Sequence, residues 1–391
     1  MPEDREAPHR KKPPPPFPLT IVTGFLGAGK TSLLNGLLRD PLAAGALVII
    51  NEFGEIGLDH LLVERVDGDM LVMTSGCLCC SIRGDLIAAL EDILRRRDNG
   101  RITPFGRVII ETTGLADPAP VLHTVMAHPY LALRFRLDGV ITLIDAVNGS
   151  ATLDAHEEAV KQAAMADLLV LSKTDLLGDG GSRDLRARLA KLNPGAVLLD
   201  AAQGQATPAA LLDLGMYDPD QKIPDVRRWL NAEAFAADDR HGHAHGSGEA
   251  HEEHEVHEAR DVNRHDARIR AFCIRHQEPL STFALDLFLE LLRGAHGPKL
   301  LRLKGIVALA GDPSRPVVIQ GVQHVFHPPL RLPAWPDGDH TTRIVFILQD
   351  LDQAFVEALW RAATDIPSPD SPDRVALTAN PLAPCKGGLL G

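Results

Sequence analysis

Residues 24–31 read Gly24-Phe25-Leu26-Gly27-Ala28-Gly29-Lys30-Thr31, the G-x-x-x-x-G-K-[ST] spacing that cradles a phosphate chain. Each residue type has a task in that chemistry. The glycines let successive backbone N–H groups turn inward, with Ala28 small enough not to obstruct them. Lys30 supplies a point charge for the β/γ oxygens. Thr31 offers its hydroxyl to Mg²⁺, and Ser32 continues a helix whose positive end faces the anion. The pattern implies a nucleoside triphosphate as ligand.

Ile109-Ile110-Glu111-Thr112-Thr113-Gly114 ends an apolar run with an acid and places glycine three positions later. Beside a phosphate loop, Glu111 suits a water-mediated hold on Mg²⁺, and the Gly114 amide can donate to a γ-phosphate. Downstream, Ser172-Lys173-Thr174-Asp175 is similar to the N-K-x-D guanine reader, with Ser in place of Asn. A carboxylate at Asp175 accepts from N1–H and N2–H₂ of guanine, whereas adenine presents an acceptor there; GTP is therefore the expected nucleotide.

A different chemistry is offered by Gly76-Cys77-Leu78-Cys79-Cys80. Three thiols within four residues, just ahead of a predicted helix N-terminus, favour thiolates and an incomplete soft shell for Zn²⁺, Co²⁺ or Cu⁺. Glu55 and His128 are candidate further ligands. The loop Asn51–His60 (NEFGEIGLDH) occupies the place of a switch segment between the phosphate loop and Glu111. Six histidines between Asp238 and Glu258 could capture metal more weakly.

These motifs need a scaffold that gathers strand ends. From Leu19 to about Leu199, seven apolar runs alternate with helical patterns at 31–39, 84–97, 118–127, 153–166 and 183–192. Continuous apolar strands alternating with helices predict an α/β domain with a mostly parallel sheet, whose ligands collect at the carboxyl ends of the strands. Strands at 268–275, 300–310, 316–324 and 343–349, with helices at 281–293 and 351–363, predict a smaller α+β module. The expected organisation is a Pro-rich arm (1–18), a P-loop domain (19–229), a His-rich flexible linker (230–267), the α+β domain (268–364) and an unstructured tail (365–391).

Composition narrows the function classes. A formal charge of −12 speaks against a general nucleic-acid or anionic-membrane surface. No apolar run reaches the ~18 residues of a membrane helix. The first residues lack a signal-peptide core, so a cytoplasmic location is expected. Three of the five cysteines crowd together, which suits metal chemistry rather than a disulfide framework.

Taken in order, GFLGAGKTS, NEFGEIGLD, GCLCC, IIETTGLADPAP and LSKTD resemble the CobW family of P-loop GTPases, metal chaperones related to the urease and hydrogenase nickel-insertion GTPases. The resemblance extends to 299–326, which is similar to that family's C-terminal domain. It implies slow, Mg²⁺-dependent GTP hydrolysis, with Cys77, Cys79 and Cys80 carrying zinc or cobalt to a client metalloprotein. Glu55 and His128 match metal-binding positions of relatives; a further carboxylate some relatives carry is Ile50 here. A homodimer is a candidate assembly. Two rival readings stand beside this one: an ATP-using kinase or ligase on the same core, and a metal buffer or sensor with a non-catalytic nucleotide site.

Overall fold

The computed structural model describes residues 15–53, 70–75, 81–178, 180–212 and 268–365. The expectations placed on Glu55, Cys77, Cys79 and Cys80, on most of the NEFGEIGLDH loop, on the histidine-rich segment and on the two ends lie outside those residues.

Each of the seven apolar runs becomes a strand. These are β1 (Phe17–Gly24), β2 (Ala46–Phe53), β3 (Met70–Ser75), β4 (Arg107–Thr112), β5 (Phe135–Asp145), β6 (Leu168–Ser172) and β7 (Val197–Asp200). They form one sheet of order β3-β2-β4-β1-β5-β6-β7, and every pairing is parallel. Burial on both faces explains the unbroken apolar character, because successive residues serve opposite cores. Leu19 and Ile21 join one cluster with Leu86 and Leu90 of α2 (Ser81–Asp98), and with α3 (Ala119–Ala127) and α6 (Glu157–Met165). Val22 and Ile109 join the other with Leu34 and Leu37 of α1 (Lys30–Leu38).

Two local expectations change. The helix predicted over 153–166 is two helices, α5 (Gly149–Ala155) and α6, separated by His156 in an extended conformation. Leaving the helix lets the His156 ring stack on Phe25 of the phosphate loop, 4.4 Å between centroids. Glu157 and Glu158 then favour a fresh helix N-terminus. A short α4 (Pro129–Arg134) follows α3; its six residues are too few to show a period. The sequence period does locate α7 (Arg183–Leu192). A one-turn α8 (Pro208–Leu211) closes the described part of this domain.

The second domain is antiparallel, as an α+β module requires. Its strands are β8 (Ile269–His276), β9 (Leu300–Val307), β10 (Val317–Val322), β11 (Val325–Phe326), β12 (Leu330–Arg331) and β13 (Thr342–Gln349). The order is β11-β10-β9-β13-β8, with β12 also pairing with β10. Helices α9 (Thr282–His296) and α10 (Gln353–Thr364) cover one face, where Phe288, Phe346 and Trp360 interlock at ring angles near 90°. The other face meets the first domain: Ile269, Leu301, Val322 and Ile347 share a core cluster with α3 and α6. The two domains therefore do not merely share a chain; they bury apolar surface against each other.

Candidate functional site

The phosphate loop leaves β1, the central strand, and every feature of its backbone depends on glycine. Gly24 sits at φ +139, and a Cβ there would lie 2.4 Å from the carbonyl oxygen of Leu143. Gly27 and Gly29 hold φ +75 and +94. Gly29 is the N-cap of α1 and contributes no side-chain cap, and the first turn carries no acid. Its leading amides and the helix dipole are thus left to serve an external anion. Lys30 is buried, and its Nζ arches back over the loop to donate to the carbonyls of Gly24 (2.9 Å) and Phe25 (3.4 Å). Thr31 and Ser32 open the same helix.

Glu111 is brought alongside by strand register. It pairs opposite Val22 at the end of β4 and is only 3% exposed. The next residue, Thr112, donates to Thr23 Oγ1 at 2.7 Å, which ties the ends of β4 and β1 together. Gly114 then runs against the phosphate loop itself: a Cβ on it would meet the Leu26 backbone nitrogen at 2.5 Å. Only glycine permits so close an approach.

On the far side of β1, the Ser172–Asp175 segment leaves β6. Ser172 Oγ donates to the Ala28 carbonyl at 2.7 Å, so the hydroxyl in the Asn position grips the phosphate loop directly. Lys173 takes a left-handed conformation, and its Nζ donates to Asp145 Oδ2 at 2.7 Å. Burial would raise the Asp145 carboxyl, but the Lys173 ammonium and the donors of Asn148 and Val147 outweigh that and hold it below its ordinary value. Thr174 donates to Asp200 Oδ1 at 2.6 Å, and Arg186 also pairs with that buried carboxylate. Asp175 itself is exposed. It lines a cleft of about 690 Å³ with Gly29, Ser32, Lys173, Leu176 and Ala201, a volume that suits a nucleoside.

Of the residues singled out from sequence, Gly24, Gly27, Ala28, Gly29, Lys30, Thr31, Ser32, Glu111, Gly114, Ser172, Lys173 and Asp175 converge on one end of the parallel sheet. The residues that brace them were missed. Asp145 and Asp200 end strands β5 and β7, where an acid at the end of an apolar run is itself a positional signal. Gln162 of α6 carried none, since a lone polar residue on a helix reads as solvent-facing.

His128 is placed elsewhere. Its Nδ1 accepts from Leu131 N at 3.4 Å and so caps α4, while its Nε2 lies 3.9 Å from Glu91 Oε1. Glu91 is ten residues into α2, about 15 Å along the axis from the helix start that follows the cysteines. Among the described residues, no group of three or more His, Cys, Asp or Glu is arranged to hold a metal. Nor is any described helix long and apolar enough to cross a membrane.

Comparison with known proteins gives two family matches in chain order. Residues 18–200 match the CobW/HypB/UreG nucleotide-binding domain, and residues 269–364 match the cobalamin synthesis protein CobW C-terminal domain. The chain is 32% identical over 345 residues to the zinc chaperone YjiA of Escherichia coli, covering 88% of this chain and 98% of that protein. It is 31% identical over 379 residues to the zinc chaperone CobW of Pseudomonas aeruginosa, covering 89% and 91%. Its fold is similar to the crystal structure of Zn(II)-bound YjiA GTPase from E. coli, with TM-score 0.60, 27% identity and coverage of 89% and 99%.

Proposed function

The chain belongs to the CobW/HypB/UreG family and is a GTPase, and from that premise we propose that it is a GTP-driven chaperone that carries Zn²⁺ to a client metalloprotein. The observation that carries the reading is the convergence of Gly114, Ser172 and the Gly24–Thr31 loop within contact distance at one sheet end. Such an arrangement holds a triphosphate on one side and senses its terminal phosphate on the other.

In this reading the loop amides and Lys30 take the β and γ oxygens, and Thr31 and Glu111 hold Mg²⁺, which neutralises charge on the phosphates. The Gly114 amide takes the role of donor to the γ-phosphate. Asp175 selects guanine at the mouth of the cleft. The buried ends of β1 and β4 keep Glu111 dry, which strengthens its hold on a cation.

The cargo is assigned to Cys77, Cys79 and Cys80, with Glu55 as the further donor. Relatives that are named zinc chaperones favour zinc over cobalt. Three thiolates leave the fourth position to a more readily exchanged oxygen donor, as suits a carrier that must release its ion. His128 is assigned to capping α4. Asp175 argues against the ATP-using kinase reading, since adenine offers it no donor at the matching edge.

Multiple-turnover phosphate release by the full chain tests the reading. GTP is expected to be hydrolysed in preference to ATP, and Lys30→Ala to abolish turnover by removing a charge-assisted phosphate contact. Equal turnover of both nucleotides, or full activity of Lys30→Ala, would contradict it. Metal release to an apo-client on hydrolysis, absent with a non-hydrolysable analogue, separates a chaperone from a buffer.

A further inference from the structure

Gln162 lies in the middle of α6, away from the nucleotide cleft, yet it is 1% exposed. Its Nε2 donates to two backbone carbonyls of the segment after Glu111: Gly114 at 3.2 Å and Ala116 at 2.9 Å. Two facing acceptors fix which end of the carboxamide points there, because the oxygen would be repelled by both. The price is an Oε1 that is buried without a hydrogen-bond partner among the described residues. A leucine would pack at this position without that penalty. A carboxamide kept at such a cost suggests that its two donors do something packing cannot.

The place they act is specific. A Cβ on Gly114 would lie 2.5 Å from the Leu26 nitrogen of the phosphate loop, so anchoring the Gly114 and Ala116 carbonyls from behind restricts how this backbone segment can shift against that loop. The helix that supplies the hold is itself fixed on that side. The Gln162 carbonyl accepts from Thr142 Oγ1 of β5 at 2.8 Å, and His156, just ahead of α6, stacks on Phe25.

We infer that Gln162 is a positioning residue for GTP hydrolysis: through the Gly114 and Ala116 carbonyls it orients the segment that reads the γ-phosphate. The inference rests on the reading that this segment faces the γ-phosphate. Gln162 touches neither nucleotide nor metal; it acts only through the segment it holds. Discrimination between triphosphate and diphosphate should depend on it, while binding of the diphosphate should not.

The test uses the full chain and two variants. Gln162→Met keeps the volume and removes both donors; Gln162→Glu, protonated in this buried site, keeps one. The measurements are affinities for GDP and for guanosine 5′-(β,γ-imido)triphosphate with Mg²⁺, and hydrogen exchange of residues 111–116 in each complex. In the wild type the analogue should protect residues 111–116 more than GDP does. In Gln162→Met the analogue-to-GDP affinity ratio should fall by about fivefold or more, as is typical when an allosteric link is cut. GDP affinity should stay within about twofold, and kcat should fall more than KM rises. Gln162→Glu should be intermediate, and it carries the test if the Met variant does not fold. An unchanged ratio in variants whose parent shows the protection difference overturns the role of Gln162 alone. An equal loss of both affinities makes it structural and also overturns the inference. No protection difference in the wild type instead overturns the reading of the segment.

Discussion

At the scale of single residues, the site depends on close approaches that side chains would block. Gly114→Ala would place a methyl carbon 2.5 Å from the Leu26 backbone nitrogen, so the phosphate loop or the segment must move. We expect nucleotide affinity to fall by tenfold or more, about 1.4 kcal/mol at least. Isothermal titration with GDP checks this, and near-wild-type affinity would contradict it. His128 makes the opposite kind of prediction. As the cap of α4, its replacement by Ala should cost roughly 1 kcal/mol of stability by denaturant titration. Zinc stoichiometry should be unchanged, whereas Cys79→Ser should lose the tight site. The glycines and Lys30 were legible in the sequence because the motif encodes them at fixed local spacing. The capping role of His128 was not, since a histidine's partner is set by tertiary position.

Among the elements, α6 carries the contacts that local pattern could not reveal. Its nine residues are buried on nearly every side, between the parallel sheet and the second domain. Just past its end, Asp167 is wholly buried and pairs with Arg302 and Lys304 of β9, each at 2.6 Å, and accepts from Val140 N at 2.9 Å. At its start, Glu157 pairs with Arg268 at 3.0 Å and accepts from Gln349 at 2.6 Å. The sequence separates Asp167 from Arg302 by 135 positions, so no window could have joined them. The seven strands, by contrast, were readable because each is a continuous apolar run.

The buried cluster is asymmetric in its energetics. Burial pushes Lys304 down to about 8, outweighing its attraction to Asp167. Burial alone would raise Asp167, but Arg302 and Lys304 hold it below its ordinary value. Asp167→Asn strands two buried cations and should cost about 3–5 kcal/mol. Lys304→Met at pH 7 leaves the Arg302–Asp167 pair and should stay within about 1 kcal/mol of wild type. Both are read by urea denaturation; equal losses would contradict the assignment. The pH dependence follows in sign. Lys304 is lowered on folding, so the unfolded chain binds the extra proton between about 8 and 10.5, and this group's contribution to stability rises across that window. The depressed Asp167 contributes above its unfolded value of 3.8, and that contribution is lost as pH falls through its lower folded value. Lys304→Met should flatten the alkaline rise.

Across the whole molecule, the two domains share apolar core and the buried ion cluster, with α6 between them and the nucleotide end of the sheet on the same helix's other contacts. The proposed cysteine site falls in the chain between the NEFGEIGLDH loop and the Glu111 strand, the two segments expected to respond to the γ-phosphate. Elements of this kind order around γ-phosphate and Mg²⁺ and relax on hydrolysis. Zinc affinity should therefore depend on nucleotide state, and linkage requires zinc to tighten triphosphate binding by the same factor. The most direct measurement is a competition titration of zinc against a chromogenic chelator, in the full chain loaded with a non-hydrolysable GTP analogue and then with GDP. Zinc should bind more tightly in the analogue complex, by about 1–3 kcal/mol. Equal zinc affinities in the two complexes would contradict it.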